Sequence, residues 1–247
     1  MLSILRVFRK KVLVKRNFGK YLLYAFGELI LVVMGILIAL QINLWNTQKS
    51  NKNQERYALN RFSTDLISDI DQLTQLINAT EKQLVDLDLI IQIMDDKDDI
   101  SKFFKLQRSI HDINTFKPNM GTYDESISSG KLQLVLNDTL REQIFKYYRE
   151  VSKCSADDAM SKMRDELFLP YINSNIYNTE QSIRFIFKTK AQLPKLDLDV
   201  LANDKDYFSI LISAKGKYVQ ILNWQNYLQH AKNLKKKIQE ELKTVDS

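Results

Sequence analysis

A chain of 247 residues, 45% hydrophobic and 27% charged, has room for one or two ordinary domains, and its 36 Lys and Arg against 30 Asp and Glu leave a net charge of +6. The surplus argues against a nucleic-acid partner, because residues 1–48 hold seven of the cations and one of the acids and the rest of the chain is neutral. A single cysteine, Cys154, excludes an intramolecular disulfide, and His111 and His230 stand apart without the clustering a zinc site needs.

The first element is an apolar run from Leu22 to Leu44, interrupted mainly by Glu28, Gln41 and Asn43. A helix over it spans roughly 34 Å, enough to cross a lipid hydrocarbon core. Tyr21 and Tyr24 flank one end and Trp45 the other, where amphipathic rings favour the headgroup level. The run exceeds a cleavable signal's apolar region and lacks a small-x-small site, so it reads as a signal anchor in the lipid bilayer. Arg6, Arg9, Lys10, Lys11, Lys15, Arg16 and Lys20 precede it; only Lys49, Lys52, Arg56 and Arg61 follow in a similar window. That asymmetry predicts a cytoplasmic segment 1–20, a transmembrane anchor 21–46 and an extracytoplasmic domain 47–247.

On a helical wheel Tyr21, Tyr24, Val32, Gly35, Ala39 and Asn46 share the face of Glu28, while Phe26, Ile30, Val33, Leu37 and Leu44 lie opposite. A face of small and polar residues suits a partner helix, and Gly35 and Ala39 form a small-xxx-small pair. Three roles for Glu28 follow. It packs helices in a homo-oligomer, it handles protons or cations beside another membrane protein, or it snorkels toward the cytoplasmic interface.

No glycine or proline occurs between Gly35 and Pro118. Leu59, Phe62, Leu66, Ile70, Leu73, Ile77, Leu84, Leu87, Ile91 and Met94 recur at steps of three and four, with Thr80 filling the gap, so the sequence predicts one long helix ending at "DDKDDIS". A shorter amphipathic segment follows over about 100–115, broken by "KPNMG". In "TYDESISSGKLQLVLND", Thr122 and Glu125 have capping-box spacing. Gly130 is placed to end that short helix left-handed, and "KLQLVL" reads as briefly extended. Asn137 or Asp138 should cap a helix over about 138–168 that Pro170 ends. A further helix is expected near 179–189 and a final one over about 204–243, weakened at Gly216. Two matched helices of about 40 residues, at the start and end of the extramembrane part, predict an all-α bundle of long antiparallel helices.

"KYLLYAFGELILVVMGILIALQINLWN", joined with "TYDESISSGKLQLVLNDTLREQIFKYY", resembles the short single-span membrane proteins, abundant in Bacteroidota, that are known only as a domain of unknown function. The match covers the anchor, the middle motif and the layout through "NDKDYFSILI"; "YAFGEL" stands where "YAIGEI" is usual. The resemblance implies a bacterial inner-membrane protein with a periplasmic helical domain, and brings no activity with it.

No nucleophile–base pattern, metal spacing or phosphate loop is present, and no cofactor is expected. Asp65, Asp69, Asp124, Glu125 and Asp157 read as solvated or capping acids rather than a catalytic set. The expectation is a non-enzymatic, membrane-anchored helical domain for protein interaction or oligomerisation at the cell envelope. The alternatives are an extracytoplasmic sensor or ligand-binding module working through a partner, and a subunit of a proton-coupled complex using Glu28. Thr122, Tyr123, Glu125 and Gly130 are read as a structural corner; Tyr123, Ser129 and Gly130 as a binding surface is the weaker reading.

Overall fold

The computed structural model describes residues 18–96, 99–177 and 196–245, and every regular element among them is helical. The basic residues Arg6 to Arg16 and the helix expected near 179–189 lie outside the described residues, as do the side chains of Lys20 and Tyr21. The elements are α1 (Phe18–Asp96), α2 (Ile100–Leu106), α3 (Arg108–His111), α4 (Gly121–Ser128), a 3₁₀ turn (Lys131–Leu134), α5 (Asp138–Val151), α6 (Ser155–Met163), a π segment (Arg164–Phe168), α7 (Leu169–Asn175), α8 (Leu198–Ala202), α9 (Lys205–Ala214) and α10 (Lys217–Val245). The chain divides into two compact units, Met1–Gln54 and Glu55–Ser247.

In the first unit every side chain from Leu22 to Gln54 is exposed. The apolar part of α1 has a window of mean hydropathy 2.4, so by length and composition it can cross a membrane.

The second unit is a helical bundle with two apolar clusters. One gathers Leu59, Phe62, Leu66 and Leu73 of α1 with Ile144, Tyr147 and Tyr148 of α5 and Trp224, Leu234 and Ile238 of α10. The other gathers Leu87, Ile90 and Met94 of α1 with Phe103, Ile110, Phe168, Tyr207 and Ile210. Along α1, higher residue numbers therefore meet lower numbers of α9 and α10, which is antiparallel packing. Lys217 against Gln83 and Lys215 against Asp88 fix the same register.

Several local expectations are corrected. "KLQL" is a 3₁₀ turn rather than an extended stretch. The predicted 138–168 helix is interrupted after Val151, restarts at Ser155 and does not stop at Pro170. Proline lacks an N–H and crowds the carbonyl four residues earlier, and the chain meets this by widening into the π segment just before Pro170 enters the first turn of α7.

The final helix is two helices, because the backbone turns tightly at Gly216, where an added Cβ would lie 2.9 Å from the carbonyl oxygen of Ser213 and 3.1 Å from Met160 Sδ. That turn resets the helical phase. After it Tyr218 is exposed and Lys217 is buried.

Candidate interaction surface and the ladder behind it

Residues 112–120, between α3 and α4, have no regular structure, so their backbone groups need partners from elsewhere. α1 supplies them. From Ser109 to Leu136 the chain runs back along α1, held by a ladder of α1 side chains. Asp86 accepts from the Ser109 hydroxyl at 2.6 Å, and Thr80 Oγ1 from the Asn114 amide at 2.9 Å. Gln72 Oε1 accepts from the backbone N–H of Lys117 and Asp69 Oδ1 from that of Asn119, both at 2.8 Å. Pro118, which has no N–H, sits between these two donors. Asp65 Oδ2 accepts from Thr122 N–H at 3.4 Å, and Glu55 Oε1 from Leu136 N–H at 2.8 Å.

Asp69 is 1% exposed, so it is not the solvated acid that the sequence alone suggested, and Glu55 is buried as well. They flank the apolar stripe: Asp65, Asp69 and Gln72 follow one another at steps of four and three beside Leu66, Ile70 and Leu73. Asp69 also accepts from the Tyr147 hydroxyl at 2.7 Å. Burial raises its carboxyl above the usual range, against the opposing hydrogen bonds from Asn119 and Tyr147.

A second acid serves the same segment from the other side. Asp157, in the first turn of α6, accepts from Phe116 N–H at 2.8 Å, the Gln220 amide at 2.9 Å and the Trp224 indole at 3.2 Å. Burial raises this carboxyl too. Close by, Lys217 donates to Gln83 Oε1 at 2.9 Å and to the carbonyl of Asp112 at 2.5 Å. Desolvation lowers its ammonium to about 8. These groups form a polar layer between the two apolar clusters.

The middle motif lies on this frame. The expected capping box is absent: α4 starts after Met120 with no side-chain cap, Thr122 lies buried inside its first turn, and Glu125 pairs with Arg61 and Lys131. The carboxylates of Asp65 and Asp69 meet the N–H groups there instead, which makes a local cap unnecessary. Gly130 has φ 69°, the left-handed conformation, directly after α4. Tyr123 is half-buried and stacks on Tyr148 at 4.8 Å, and Phe145 lies 6.3 Å from it. An open depression of about 430 Å³ adjoins the motif, lined by Ser126, Ile127, Gly130, Leu132, Arg141 and Phe145 among others. Tyr123 faces the packed side and does not line it.

Of the residues predicted for the anchor face, Glu28, Gly35 and Ala39 are all exposed, and a Cβ added at Gly35 meets no atom within 4 Å. Cys154 is half-buried and donates to the Val151 carbonyl at 2.8 Å, and burial pushes its thiol up to about 11. Among the described residues no group of three or more His, Cys, Asp or Glu is placed to hold a metal.

The stretch from Glu28 to Cys154 thus contains the apolar face, the ladder, the middle motif and α5. A family described as "Family of unknown function (DUF6090)" matches these same residues, 28–154, just over half of the chain. The chain belongs to this family. No curated protein and no solved structure matches it. The DUF6090 match ends at the break between α5 and α6, so α6 to α10, which complete both apolar clusters here, lie beyond the matched region.

Proposed function

We propose that this DUF6090 chain is a non-enzymatic, membrane-anchored helical module of the bacterial cell envelope that associates with other protein chains, first with copies of itself. The anchor spans the inner membrane with the amino terminus in the cytoplasm and the bundle in the periplasm. One observation carries the reading. The side chains from Leu22 to Gln54 are exposed among the described residues, while the buried acids of the bundle are bound to backbone and side-chain donors. An apolar helix with a small, polar face at Glu28, Gly35 and Ala39 suits both lipid and a neighbouring helix.

Crosslinking in native membranes followed by mass spectrometry tests it. Self-crosslinks within the first 54 residues, lost in Gly35→Leu, support association through this face. Recovery of the wild-type chain solely as an uncrosslinked monomer would sink the proposal.

A further inference from the structure

Glu55 opens the second unit, and ten residues of chain carry it on from Trp45. Even fully extended, that length spans no more than about 35 Å. In an anchored chain, Glu55 therefore lies no farther than about 35 Å from the bilayer surface, whatever path the connection takes. The chemistry of that end is distinctive. Glu55 holds the backbone of Leu136, and the Leu136 side chain is 72% exposed although the preceding Val135 is fully buried. Ile127 and Phe145, at the rim of the depression, are 47% and 40% exposed. Tyr57, two residues beyond Glu55, is exposed and carries the Arg61 guanidinium over its ring.

α10 brings its carboxyl-terminal end to the same place, because the Asn137 amide donates to Glu241 at 2.6 Å. Residues 232–245 of that helix hold Lys232, Lys235, Lys236, Lys237 and Lys243 against Glu240 and Glu241. Exposed leucine, isoleucine and aromatic side chains beside a surplus of lysine are the composition of a surface that rests at a lipid interface. A two-fold pairing of this end with a second copy would bring the lysine-rich segments toward each other, whereas anionic headgroups complement them.

We propose that this end of the bundle, led by Leu136 and Ile127, docks on the headgroup layer of an anionic lipid surface. The inference rests on the anchoring proposed above and adds a second, peripheral membrane contact.

The test uses the full chain in vesicles of phosphatidylglycerol and phosphatidylethanolamine, with Cys154→Ala and an environment-sensitive fluorophore on Leu136→Cys. Ile212→Cys, 71% exposed and some 50 Å along the bundle by helical rise from Glu55 to the Asp88 level, is the reference. Nitroxide-labelled lipids are expected to quench the Leu136 fluorophore about threefold or more over the Ile212 one, and vesicles of phosphatidylcholine alone to reduce the difference. Ile127→Cys reports in its place if thermal melting shows that Leu136→Cys has not folded. Equal lipid quenching at the two ends, with the chain retained through an alkaline carbonate wash, overturns the docking and leaves the anchor standing. A fluorophore shielded from water but not quenched by lipid points to a protein contact and overturns it as well. Loss of the chain in the wash overturns both.

Discussion

Tyr147 donates its phenolic hydrogen to Asp69 across 2.7 Å, joining residues 78 positions apart. The same carboxylate takes the N–H of Asn119, so one buried group ties α5 and the returning segment to α1. Asp69→Ala would leave two donors unpaired in the core and is expected to cost about 3 kcal/mol or more, against about 1 kcal/mol for Tyr147→Phe. Chemical denaturation of the full chain in detergent micelles, followed by near-ultraviolet circular dichroism, measures both. An Asp69→Ala chain as stable as Tyr147→Phe would show that the ladder contributes little.

Asp69 and Asp157 are raised by burial, so the native chain keeps protons there that the unfolded chain has already released. Their contribution to stability is complete below the unfolded carboxylate value, about 4, and declines as pH rises through the higher native values. Asp157→Asn removes one of these titrations. Its melting temperature should depend less steeply on pH than that of the wild type across the weakly acid range. Parallel profiles from pH 4 to 7 would contradict this assignment.

Gly130 and Gly216 should respond to alanine for different reasons. At Gly130 the cost is conformational, about 1 kcal/mol for a side chain at positive φ, since the space around it is open. At Gly216 the new methyl meets a backbone oxygen at 2.9 Å, so the α9–α10 turn must shift. Gly216→Ala is expected to destabilise more, on the order of 2 kcal/mol. Thermal melts of the two variants rank them, and the reverse order would refute the crowding argument.

Glu28→Gln separates packing from proton or cation handling. The amide keeps the size and hydrogen-bonding capacity of a carboxyl and loses its ability to titrate. Self-crosslinking through the anchor should persist at near wild-type yield. A lost crosslink would mean that a carboxylate, and not the small-residue face, joins the helices.

Cys154, with its thiol raised to about 11, should react with maleimide at neutral pH roughly a hundredfold more slowly than an unhindered peptide thiol. Stopped-flow labelling in native buffer and in denaturant measures the ratio. Equal rates would place the thiol in a different setting from the one described.

Much of this architecture is legible in the residues themselves. The apolar positions from Leu59 to Met94, without glycine or proline between them, announce a long α1, and the aspartates after Met94 mark its end. Asn137 is the cap of α5, accepting from Leu140 N–H at 3.1 Å. What local patterns miss are partnerships across the chain. Thr122 and Glu125 have the spacing of a capping box, but Asp65 is already there, and a pattern confined to one helix carries no trace of an acceptor 57 residues away. Asp65 and Asp69 look like solvent-facing acids because a wheel records polarity and not the irregular strand of chain laid over it. Pro170 reads as a stop because sequence rules assume α-helical spacing, and the π segment evades that assumption.

Most rungs between Lys117 and Leu136 take hold of main-chain N–H groups, at Lys117, Asn119, Thr122 and Leu136. α1 thus grips the peptide backbone and ignores the side-chain identities it carries. Exposed positions there, such as Lys117 and Asn119, are free to drift or to accept engineered epitopes and labels, with proline as the one broadly forbidden replacement. Helix α1 tolerates no such latitude at Glu55, Asp65, Asp69 and Gln72, since each of these holds one particular N–H.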